Sequence, residues 1–113
     1  MRNSHALASL LLAIAAQNCA AVDLSAHEAL RRVSPESFQI HVASLADGML
    51  WANSALAARG ERQLFCPPKT LALNTENYIK LIDDEAKRVA KPGDNPQVGL
   101  LLLVALSRTF PCN

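Results

Sequence analysis

From residue 34 onward, apolar positions fall into helical stripes separated by short breaks. Phe38, Val42, Leu45, Met49, Ala52 and Leu56 recur in steps of four and three, which places them along one face of a continuous helix. Ser34 followed by Pro35 gives that helix a hydroxyl cap and a proline at its first position. Gly60 gives it a stop. Ser25 is placed to cap a shorter helix over Ala26–Val33. Gly48 lies inside the long helix, where glycine costs about 1 kcal/mol relative to alanine. Its presence suggests that another backbone packs closely there.

The segment Leu64–Pro68 cannot be helical, because two prolines follow Cys66. Asn74 or Thr75 caps a third helix with Tyr78, Leu81, Ile82 and Val89 on its inner side. Lys87, Arg88 and Lys91 complement the dipole at its end. Pro92–Pro96 reads as a loop in which Asp94 or Asn95 caps the last helix. Val98–Leu106 is apolar on all sides apart from Gly99, so this helix is either central or half of a subunit interface. No alternating strand pattern occurs. The expected fold class is all-α: a small single-domain bundle of about four helices with one disulfide.

The start of the chain follows a different pattern. Arg2 precedes an apolar stretch from Ala6 to Ala16, and small residues follow at Cys19, Ala20 and Ala21. This is the layout of a secretory signal peptide, and the stretch is short of the roughly 20 apolar residues a membrane span needs. Residues 1–21 are read as signal peptide and 22–113 as the domain, with cleavage after Ala21. Acylation of Cys19 as a lipoprotein is disfavoured by Asn18 before it. Cleavage leaves 113 − 21 = 92 residues and two cysteines, Cys66 and Cys112. In an exported protein these are expected to pair, which implies a periplasmic location.

Charge and composition narrow the function. Lys plus Arg is 11 and Asp plus Glu is 10, and this balance argues against a nucleic-acid binder. Stable membrane insertion after cleavage is not expected. The sequence holds no glycine-rich phosphate loop, no His-Glu-x-x-His and no Gly-x-Ser-x-Gly. No enzyme activity, cofactor or metal site is therefore expected. His41, beside Val42 of the stripe, reads as a partly buried packing residue. Asp83, Asp84 and Glu85 are consecutive and point about 100° apart on a helix. They cannot converge on one atom, and they read as a solvated face or an acidic contact patch.

Two motifs carry a resemblance. Leu64-Phe65-Cys66-Pro67-Pro68, with Phe110-Pro111-Cys112 at the C-terminus, resembles the Rap/Tai family of exported immunity proteins of bacterial type VI secretion. The similarity extends to Phe38–Trp51, especially Ala46-Asp47-Gly48, and to the helix after Asn74. It covers the chain from about Ser34 to Cys112. The resemblance implies an all-helical periplasmic domain, often a homodimer, with the motif cysteines bridged. It also implies a partner: a peptidoglycan amidase effector whose active site the protein occludes.

The candidate contacts for such an effector are Asp94 and Asn95 in the rigid loop Lys91–Pro96, with Asp83 and Asp84 as a second, steering surface. The competing reading is a small periplasmic chaperone of the acid-stress type. The homodimer is expected to use the last helix and the Phe38–Leu56 helix.

Overall fold

The computed structural model describes residues 21–113, which form four helices and no strand. The signal peptide assigned to residues 1–21 lies, apart from Ala21, outside the described residues, as does Cys19. The helices are α1 (Leu24–Val33), α2 (Pro35–Ala58), α3 (Thr75–Val89) and α4 (Val98–Thr109). No helix among the described residues is long and apolar enough to cross a membrane.

Each boundary has a local cause. Asp23, rather than Ser25, caps α1 by accepting the Ala26 N–H at 2.9 Å. Carboxylate and hydroxyl are both good caps, and the aspartate stands at the residue where the extended backbone turns helical. Ser34 alone separates α1 from α2, and Pro35 starts α2 as expected. The Ser34 hydroxyl makes no capping bond and donates instead to the Ser37 hydroxyl at 2.8 Å. At the far end, Gly60 has φ +69°, a conformation that suits glycine. The Glu61 N–H donates to Leu56 O and the Gly60 N–H to Ala57 O, the paired bonds of a Schellman stop. Asn74 is the cap of α3, in a reciprocal box with Asn77 at 2.9 and 3.0 Å.

Neither Asp94 nor Asn95 caps α4. Gln97 stands at that position without a side-chain bond. Asp94 instead closes its own turn, accepting the Lys91 N–H at 2.9 Å. Asn95 reaches across the chain and accepts the Ser25 N–H at 2.9 Å. The loop is therefore fastened to the start of α1, where Leu24 N–H also donates to Pro96 O and Val98 N–H to Val22 O.

The core joins Phe38, Val42 and Ala46 of α2, Phe65 of the segment between α2 and α3, Tyr78, Ile79 and Ile82 of α3, and Val98, Leu101, Leu102 and Leu106 of α4. Burying each of the larger side chains contributes roughly 1.5–3 kcal/mol. Two inner-face assignments shift. Ala52 is exposed and Asn53 takes the buried place on α2. Val89 is exposed, and Ile79 is buried on α3. Gly48 has open space around it, so no backbone packs against it. At Gly99 an added Cβ would make an ordinary van der Waals contact, 3.6 Å from Leu45 Cδ1. α4 buries one face in the core and exposes Leu100 and Val104 on the other.

The disulfide closes the fold. Cys66 and Cys112 are joined, with Cα atoms 5.0 Å apart across 46 residues of chain. The Cys66 N–H donates to Phe110 O at 2.7 Å. Asn53, almost fully buried, pins the adjoining segment. Its amide donates to Phe65 O at 2.7 Å and accepts from the Leu64 N–H at 2.7 Å. That fixes Phe65 in the core ahead of the proline pair.

Candidate functional site

Two clusters of charged side chains flank α3, because its three consecutive acids leave the helix in three directions. Asp84 is exposed and pairs with Lys80 one turn earlier. Glu85 is fully buried and turns towards α4. Asp83 is half-buried and turns towards α1. The expectation of a solvated face holds for Asp84 and fails for Glu85, whose position on the helix coincides with the inner stripe of Tyr78 and Ile82.

Glu85 accepts hydrogen bonds from Arg88 on its own helix and from Arg108 Nη2 of α4 at 2.7 Å. These guanidinium bonds, Arg88 first, outweigh burial and hold the carboxyl at about 2 rather than its ordinary 4.5. A buried carboxylate with two guanidinium partners is satisfied, so this cluster acts as a fastening between α3 and α4.

The other side of α3 differs. Arg31 Nη2 lies 3.0 and 3.1 Å from the two Asp83 oxygens, and Nη1 lies 3.4 Å from Glu28. The Arg31 guanidinium also sits over the Phe38 ring, 4.6 Å from its centroid. Beneath these groups is His27, fully buried, with its ring 4.7 Å from Phe38 and 5.8 Å from His41. Among the described residues, neither ring nitrogen of His27 has a hydrogen-bond partner, and Nε2 of His41 has none. Burial pushes the His27 pKa below its ordinary 6.5, against the opposing pull of Glu28. An unpaired buried polar group costs about 1–3 kcal/mol, so His27 is retained at the expense of stability. A ring nitrogen of His27 and carboxylate oxygens of Glu28 and Asp83 lie within 4.8 Å of one another. A shallow groove bordered by Leu24, Arg31, Ala86 and Lys87 opens onto Glu28 and Asp83, and His27 lies below it.

Of the four residues assigned to partner contact, Asp83 and Asn95 both touch α1, at Arg31 and Ser25. Asp94 is exposed in the loop beside Asn95, where a hollow also touches Val89, Ala90 and Pro96. Asp84 faces solvent away from them, with Lys80. The chain matches no family model, no curated protein and no solved structure.

Sequence reasoning missed His27, Glu28 and Asn53, and it assigned Asp83 to partner contact rather than to this cluster. His27 and Glu28 lie in a short helix before the main stripe, and Asp83 is 83 − 28 = 55 residues further on. Only the tertiary fold joins them. Asn53 did carry a signal. It continues the spacing Val42, Ala46, Met49, Asn53, Leu56, a polar residue on an apolar face, which demands a buried partner.

Proposed function

We propose that this chain is an exported immunity-type protein that binds a type VI secreted peptidoglycan amidase and occludes its active site in the periplasm. The observation that carries the reading is the meeting of the two motif segments. Phe65-Cys66-Pro67-Pro68 and Phe110-Pro111-Cys112 are bridged by the disulfide and by the Cys66–Phe110 backbone bond. The same motifs carry the resemblance to the Rap/Tai family. A disulfide-braced helical scaffold suits an occluding protein, because rigidity before binding lowers the entropy lost on binding.

The inhibitory contact we assign is the loop Lys91–Pro96. Its conformation is preset by the closed Asp94 turn and the Asn95–Ser25 bond. Asp84, exposed on α3, supplies steering charge for a basic partner. The protein acts as a homodimer in this reading. α2 carries Trp51 and Ile40 on its outer side at 77% and 61% exposure, and α4 carries Leu100 at 58%. An interface over such side chains removes apolar area from water that the single chain leaves exposed.

The chaperone alternative has less support. Acid activation requires carboxylates that gain protons in mild acid, and the buried Glu85 stays ionised down to about 2. The test of the inhibitor reading pairs the protein with a cell-wall amidase encoded beside its gene. Tight binding with loss of peptidoglycan hydrolysis is the expected result. Suppression of protein aggregation at low pH without any amidase binding would replace it with the chaperone reading.

A further inference from the structure

We propose that His27, Glu28 and Asp83 form a binding site for a divalent transition-metal ion of the zinc class, linking α1 to α3. This inference does not depend on the inhibitor reading. The donor set is one imidazole nitrogen and two carboxylate oxygens, all within 4.8 Å of one another. Imidazole with carboxylate suits zinc-class ions, whereas magnesium and calcium prefer oxygen alone.

The independent sign of a ligand is His27 itself. It has no exposed surface, yet neither ring nitrogen is hydrogen-bonded. Ring contacts with Phe38 and His41 hold it in place. Such packing fixes a ligand's orientation before an ion arrives. The groove beside Leu24, Ala86 and Lys87 exposes Glu28 and Asp83 to solvent, and His27 lies beneath them without exposed surface.

Two adjustments accompany binding. A tetrahedral ion with bonds of about 2.0–2.1 Å holds its ligand atoms roughly 3.3 Å apart. The donors must therefore close in from 4.8 Å, which rotation of the half-buried Glu28 and Asp83 side chains can provide. Arg31 is the cation that both carboxylates now contact, and the ion displaces it. The ion completes the coordination that one buried nitrogen of His27 otherwise lacks, and it replaces a half-exposed ion pair by metal–ligand bonds between two helices.

The probe is Zn²⁺ added to the protein with its disulfide closed, followed by calorimetric titration and thermal melting. Binding of one ion per chain is expected, with a rise in melting midpoint of at least about 5 °C at saturating ion. Mg²⁺ is expected to give neither. Asp83→Asn removes a ligand from a half-buried position and should keep the fold while weakening Zn²⁺ binding at least tenfold. His27→Phe fills the same apolar site without a donor nitrogen and should abolish the midpoint shift. Asp84→Asn, on the solvent side of the same helix, should leave binding unchanged. Absence of Zn²⁺ binding to the wild type would overturn the proposal. So would binding that Asp83→Asn leaves within threefold, which would place the ion elsewhere. If His27→Phe fails to fold, Asp83→Asn against Asp84→Asn decides alone.

Discussion

Around the disulfide, Asn53 uses both ends of its amide on the Leu64–Phe65 backbone. In the layer between α1 and α3, the equally buried His27 uses neither ring nitrogen. The first region is a finished fastening, with a covalent bond and a saturated amide, so any removal there loses stability. The second keeps polar capacity unspent in a buried place. A protein selected for stability alone would have replaced that imidazole with an apolar ring. The contrast separates residues that hold the fold from residues that await something. It directs the search for chemistry to α1 rather than to the residues that carry the family resemblance.

The largest effect belongs to the disulfide. Cys66→Ser should lower stability by about 4 kcal/mol, the chain-entropy value for a loop of this length. Non-reducing urea melts of mutant and wild type measure it, and a difference under about 1 kcal/mol would remove the disulfide from the fastening side of the comparison.

Glu85 extends the fastening side to a charged group. Its carboxyl lies at about 2 in the folded protein against an ordinary 4.5. The unfolded chain therefore takes up a proton before the folded one does as acid is added. The ion cluster's contribution is complete above about pH 4.5 and fades as the pH falls towards 2. Glu85→Gln should cost about 2–3 kcal/mol at pH 7 and flatten the pH dependence of stability in that window. An unchanged slope in the mutant would mean that other carboxylates set it.

Asn53→Ala should lose about 2 kcal/mol, since it leaves the Phe65 carbonyl and Leu64 N–H without their partner. The smallest effect, and the only one of opposite sign, is at His27. His27→Phe should hold stability level or raise it by about 1 kcal/mol when no ion is added. A loss of more than about 2 kcal/mol there would show that the imidazole is satisfied in solution, and the two regions would then not differ in kind.

The helices were legible because their causes are local. The Ser34-Pro35 start, the Gly60 stop, the Asn74 cap and the stripes each need only neighbouring residues. The pairing of Cys66 with Cys112 was legible by count. The partners of the charged side chains were not. Whether Glu85 is a solvated acid or a buried one depends on Arg108, 23 residues away, and no helical period reports that. Asn95 looked like a cap for the helix that follows it, yet it accepts the Ser25 N–H in the first turn of α1, 70 residues earlier. Turn chemistry identified the right residue type and the wrong customer. Gly48 had the signature of a close approach, but the described residues leave open space there, and an added Cβ at Gly99 would only touch the Leu45 side chain at van der Waals distance. Both glycines interrupt apolar helices, and only the packing of α4 on α2 distinguishes them.

The central functional claim is that this protein silences a cell-wall amidase by covering its active site. The direct measurement is hydrolysis of purified peptidoglycan by a cell-wall amidase that a neighbouring gene encodes, titrated with the protein. The account predicts that hydrolysis falls to nothing near equimolar protein, with a dissociation constant below about 1 μM. Hydrolysis that continues undiminished at a roughly tenfold excess of folded, disulfide-closed protein would contradict it.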